Sequence, residues 1–137
     1  MDVYAENILD HYRHPRGKEL LANPSAFHTE ANISCGDTLT IQVEVRDGKL
    51  QQLGWQGTGC AISQAAMSLL AEELEGKTMD EIDRLSKEEV YELLGVPIGT
   101  RRIKCALLSL HTLKNTLRKL DGKDPQSWLD TVEIIDE

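Results

Sequence analysis

The sequence predicts an α+β fold, in which a small antiparallel sheet of about three strands packs against a cluster of α-helices. Three observations predict it. Leu39, Ile41, Val43 and Val45 alternate with Thr40, Gln42 and Glu44, the period of a strand with one buried face. Asp47-Gly48 follows as a hairpin turn signal, with residues 50–56 as the returning strand. After Gly57-Thr58-Gly59 the period turns helical: Ile62, Ala65, Ala66, Leu69, Leu70 and Leu74 share one stripe, and Gly76 closes the helix.

The remaining elements follow the same logic. Val3, Tyr4, Ile8, Leu9 and Tyr12 form the apolar face of a first helix, which must stop near His14-Pro15. Residues 16–25, with Gly17 and Pro24, read as a loop, and residues 27–33 as a weakly extended segment. Residues 78–94 give two short amphipathic helices with Thr78 and Ser86 as N-caps. Gly95, Pro97 and Gly99 mark a break. A last long helix over residues 101–120 turns Ile103, Ala106, Leu107, Leu110, Leu113 and Leu117 inward, and Gly122 and Pro125 end it. The tail from Trp128 is short and acidic, and its pattern does not say whether it packs. One domain over residues 1–137 is expected, with a core at about 3–121 and a tail at 122–137.

Composition narrows the function. With 15 Lys and Arg against 23 Asp and Glu, the net charge is −8, which argues against nucleic acid as the main partner, since phosphate binding needs a basic stripe. No apolar run approaches the roughly 20 residues of a membrane span, and the N-terminal stretch lacks a signal-peptide core. A cytoplasmic protein is expected. Its three cysteines are too few and odd in number for a disulfide framework.

Each cysteine lies at a boundary of regular structure. Cys35 precedes the first clear strand, Cys60 opens a helix after Gly57-Thr58-Gly59, and Cys105 falls early in the last helix behind Arg101, Arg102 and Lys104. Helix N-termini and flanking cations favour thiolate over thiol. Cys35 and Asp37, two apart in an extended segment, project to the same side. Three thiolates and one carboxylate would suffice for a tetrahedral zinc; the same set could hold an iron–sulfur cluster. Free cysteine is also among the most buried residue types, and Asp37 after Cys35-Gly36 also fits a turn. His11, His14, His28 and His111 read as surface or helix-face residues.

At these residues the chain resembles the U-type iron–sulfur cluster assembly proteins, the family of IscU, SufU and the N-terminal domain of NifU, from about Tyr4 to Leu120. Asp10-His11-Tyr12-Arg13-His14-Pro15-Arg16 is similar to the family's opening D-H-Y-x-N-P-R stretch. Cys35-Gly36-Asp37 resembles its first ligand motif, Gly57-Thr58-Gly59-Cys60-Ala61-Ile62-Ser63 its second, and Arg102-Ile103-Lys104-Cys105-Ala106 its third. The resemblance implies that Cys35, Asp37, Cys60 and Cys105 converge on a metal. It implies a cysteine desulfurase as sulfur donor, and downstream cluster-assembly or apo iron–sulfur proteins as acceptors. It also implies zinc, or a transient [2Fe–2S] cluster, at the site.

The chain departs from the family pattern in several places. Lys104 stands where the scaffold branch has His, which with Arg102 makes the site resemble the SufU branch. Residues 75–99 are too short to contain that branch's usual insertion. His14 replaces the usual Asn, and Ala66 stands where Ser is common. The expectation is a zinc-dependent sulfur acceptor with Cys35 as the persulfide-accepting residue, supported by the positive charge of Arg102 and Lys104. The alternatives are a true scaffold that assembles and transfers [2Fe–2S], and a non-catalytic zinc-stabilised interaction module.

Overall fold

The computed structural model describes residues 3–135. Helix α1 (Val3–Arg13) leads through a long loop to strands β1 (Ala26–Asn32), β2 (Asp37–Arg46) and β3 (Lys49–Thr58). Helices α2 (Ala61–Leu74), α3 (Met79–Asp83), α4 (Lys87–Leu94), α5 (Ile103–Leu120) and α6 (Trp128–Val132) follow, with a 3-10 turn (Thr100–Arg102) leading into α5. The three strands form an antiparallel meander in the order β1-β2-β3. This is the α+β architecture that the sequence predicts.

The β2–β3 hairpin forms where the alternation places it. Asp47 and Gly48 both take left-handed backbone (φ 55° and 72°), the conformation of the tight turn that matches strand twist. The inward set Leu39, Ile41 and Val43 of β2, with Leu53 and Trp55 of β3, is buried against the helices. Trp55 satisfies its indole by donating Nε1–H to the Arg16 carbonyl at 2.8 Å, which straps the loop after α1 onto β3. Gly17 (φ 75°) makes that approach possible, because a Cβ there would lie 3.1 Å from Ala71 Cβ.

Helices α2 and α5 pack together beneath the sheet and are buried nearly all round. Their hydroxyls are satisfied internally: Thr112 and Thr116 donate to the carbonyls of Leu108 and Thr112, each at 2.7 Å. Thr78 caps α3 through a reciprocal capping box with Glu81. Ser86 occupies the N-cap position of α4 without a side-chain cap bond.

Two expectations fail, both for polar reasons. Of the expected face only Ile8 is buried; Val3, Tyr4, Leu9 and Tyr12 face outward, and α1 buries His11 beside Ile8. The ring of His11 docks on the buried hydroxyl of Ser68 (Nδ1–Oγ 2.7 Å), which also accepts the Arg16 N–H at 2.8 Å. A satisfied histidine thereby sets the rotation of the helix, and burial holds its pKa below the ordinary value. His111 is also buried: its Nδ1 meets Thr131 Oγ1 at 2.6 Å, and its ring stacks on Trp128 at 4.1 Å.

The tail packs. Asn115, wholly buried, accepts the Gln126 N–H at 2.7 Å and donates to the Gln126 carbonyl at 3.0 Å, which fixes the chain entering α6. Asn115→Ala is expected to cost about 1–3 kcal/mol, because backbone groups of Gln126 lose their partners. Denaturant unfolding measures this, and a loss below about 0.5 kcal/mol would show that the clasp is dispensable.

Candidate metal centre

Register brings the site together. Asn32 pairs with Asp37 across β1–β2, and Thr38 pairs with Thr58 across β2–β3. The start of β2 therefore lies beside the end of β3, where Gly59 and Cys60 follow. Cys35 sits in the turn between β1 and β2, and Cys105 in the first turn of α5, which packs on both strands.

Cys35 and Asp37 do share a point in space, but strand alternation is not the reason. Residues 33–36 form a turn in which the Asn32 carbonyl accepts the N–H groups of Cys35 and Gly36, at 3.2 and 2.9 Å. Gly36 takes φ 73° there, and the turn brings Cys35 back over the sheet end.

One ligand atom each from Cys35, Asp37 and Cys105 lie within 4.8 Å of one another. The Cys105 thiol donates to Cys35 Sγ at 3.3 Å. Asp37 is buried; its Oδ1 accepts the Cys60 N–H at 3.2 Å, while its Oδ2 is buried with no partner among the described residues. A buried carboxylate oxygen without a donor is costly, and a cation would satisfy it. Sulfur and carboxylate donors suit zinc. The residues therefore fit a metal ion.

Cys60 is placed differently. It lines the same cavity of about 380 Å³, with Arg101 and Arg102 on the rim, but its sulfur is not part of the close triad. Lys104 lines an adjoining cleft instead, with Nζ 5.6 Å over the Trp128 ring. The thiolate expected at Cys105 is not favoured either. Burial, then the contacts with Cys35 and Asp37, push the Cys105 thiol far above its usual range.

Asn32 escaped the sequence reading. It is buried, its carbonyl closes the Cys35 turn, and its Nδ2 points at Cys105 Sγ from 3.9 Å. The signal was weak: an Asn ending an extended run before Ser34-Cys35-Gly36.

The NifU-like N-terminal domain family matches residues 3–126. The chain belongs to this family. The "Iron-sulfur cluster assembly scaffold protein IscU" of Thermotoga maritima is similar to it, 31% identical in an alignment that covers 86% of this chain and 94% of that relative. The "Zinc-dependent sulfurtransferase SufU" of Bacillus subtilis is 28% identical, covering 88% of this chain and 92% of that protein. The crystal structure of a NifU-like N-terminal protein from Brucella abortus superposes with a TM-score of 0.74 at 25% identity, covering 88% and 96% of the two chains. This NifU-like domain has no described helix long and apolar enough to cross a membrane.

Proposed function

We propose that this NifU-like domain is an iron–sulfur cluster assembly protein that accepts persulfide sulfur from a cysteine desulfurase on Cys35. Cys35, Asp37, Cys60 and Cys105 would hold zinc, with Cys60 joining by rotation of its side chain. The observation that carries this reading is an exposed thiol, Cys35, in contact with the buried Cys105 thiol and within 4.8 Å of Asp37, whose buried Oδ2 lacks a partner among the described residues. A bound divalent cation would supply the charge that keeps such thiols deprotonated.

The protein's own residues do the rest. Asp37 is held by the Cys60 N–H, Asn32 fixes the turn that presents Cys35, and Arg102 raises the positive potential at the rim. The Cys35 thiolate attacks the outer sulfur of the donor's persulfide, forming a new sulfur–sulfur bond and expelling the donor thiolate. Sulfur would then pass to downstream cluster-assembly or apo iron–sulfur proteins.

The compact run between α2 and α5, together with the likeness to proteins named as scaffolds, favours a second reading. There the same residues hold a [2Fe–2S] cluster as cargo. Native mass spectrometry of protein purified without oxygen separates the two. One zinc, lost in Cys60→Ser while the fold survives, is the expected result; a mass matching two irons and two sulfides would replace the acceptor reading with the scaffold reading.

A further inference from the structure

Beside the cysteine cavity lies a larger cleft of about 610 Å³, within the size range of small-molecule sites. Asn32, Ser34 and Cys35 form one wall, Thr100, Arg101, Ile103 and Lys104 another, and Ile134 and Ile135 from the packed tail a third. The two cavities share only Cys35 and Arg101. Cys35 is therefore reachable from two sides: from the ligand triad and from this cleft.

In a chain of net charge −8, the described lining of this cleft includes Arg101 and Lys104 and no carboxylate. Arg101 has no ion-pair partner among the described residues. It stands in the turn that leads into α5, where the helix dipole disfavours a cation. An arginine held there, exposed beside the free thiol of Cys35, is a ready partner for a carboxylate. Ile103, Ile134 and Ile135 offer apolar surface for the body of a ligand, and Cys35 sits at its edge.

We propose that this cleft binds a low-molecular-weight persulfide bearing carboxylate groups, which hands its outer sulfur to Cys35 with no protein donor. A ligand carboxylate pairs with Arg101, placing the sulfur–sulfur bond at Cys35. The Cys35 thiolate attacks the outer sulfur of R–S–SH, forming Cys35–S–SH and releasing RS⁻, which takes a proton from water. No electrons are gained or lost overall. This extends the sulfur-acceptor reading of Cys35 and rests on it.

The probe is glutathione persulfide, added to the reduced full chain and followed by peptide mass spectrometry. The expected result is the mass of one added sulfur confined to Cys35, with a rate that saturates as the probe concentration rises. Arg101→Glu should slow it about tenfold, while Lys123→Glu, the same charge change beyond the other end of α5, about 27 Å away by helix rise, should not. The probe's dimethyl ester should react slowly with the unmodified chain and be indifferent to Arg101→Glu. A rate linear in probe and equal in both variants, or equal labelling of Cys60, would overturn the proposal. A cysteine desulfurase with cysteine, run in parallel, separates the two readings. Labelling of Cys35 by the enzyme but not by the probe removes the cleft site alone; labelling by neither removes sulfur acceptance as well.

Discussion

Cys35→Ser is expected to abolish sulfur acceptance while leaving the fold unchanged. The hydroxyl keeps nearly the shape of the thiol, and Cys35 is exposed in a turn held by backbone bonds to Asn32, so stability should shift by no more than about 0.5 kcal/mol. A serine hydroxyl does not ionise near neutral pH and cannot attack a persulfide as a thiolate does. Incubation with a cysteine desulfurase and cysteine, read by intact mass, should show sulfur on the wild type and none on the variant. Transfer at the wild-type level would move the acceptor to Cys60 or Cys105. Of these, Cys105 is the poorer nucleophile, because it is buried.

The second large effect is expected at Gly59, a position without reactive chemistry. A Cβ on Gly59 would run into Ser63 Oγ and stand 2.6 Å from Asp37 Oδ1 and 3.0 Å from Asp37 Cγ. Gly59→Ala must therefore displace the carboxylate, and with it the 3.2 Å bond from the Cys60 N–H. The folding cost is about 1–3 kcal/mol, the usual range for overpacking. Metal affinity is expected to fall about 10–100-fold, as when a ligand loses the group that orients it. Competition for zinc against a chromophoric chelator measures the second effect, and circular dichroism confirms that the variant is folded. A folded variant with wild-type affinity would show that Asp37 does not bind the ion.

Much of this architecture was legible from local pattern. The β2–β3 hairpin followed from period-two alternation and Asp47-Gly48, and α2 and α5 from their aliphatic stripes. Thr78 was a correct cap because the capping box is complete within four residues. What escaped depends on partners far along the chain. His11 of α1 docks on Ser68, 57 residues away, so of its apolar face only Ile8 turned inward. The packing of the tail depends on Asn115 and His111, whose polar side chains gave no apolar signal. At the candidate site, the cysteine positions marked three glycine-punctuated boundaries, but spacing could not place Cys60 apart from the triad. Nor could it show that Cys105 would be buried.

The contact between Cys35 and Cys105 joins residues 70 apart in sequence, and Asn32 reaches Cys105 across 73. Contacts of such separation form only after a large loop-closure entropy has been overcome. A chain emerging from the ribosome presents Cys35 and Cys60 long before α5 exists, as separate thiols with no shared pocket. The triad requires α5 to be packed on the sheet. A chain that ends before α5 therefore carries Cys35 and Asp37 but not Cys105, and the triad is complete only when α5 is in place.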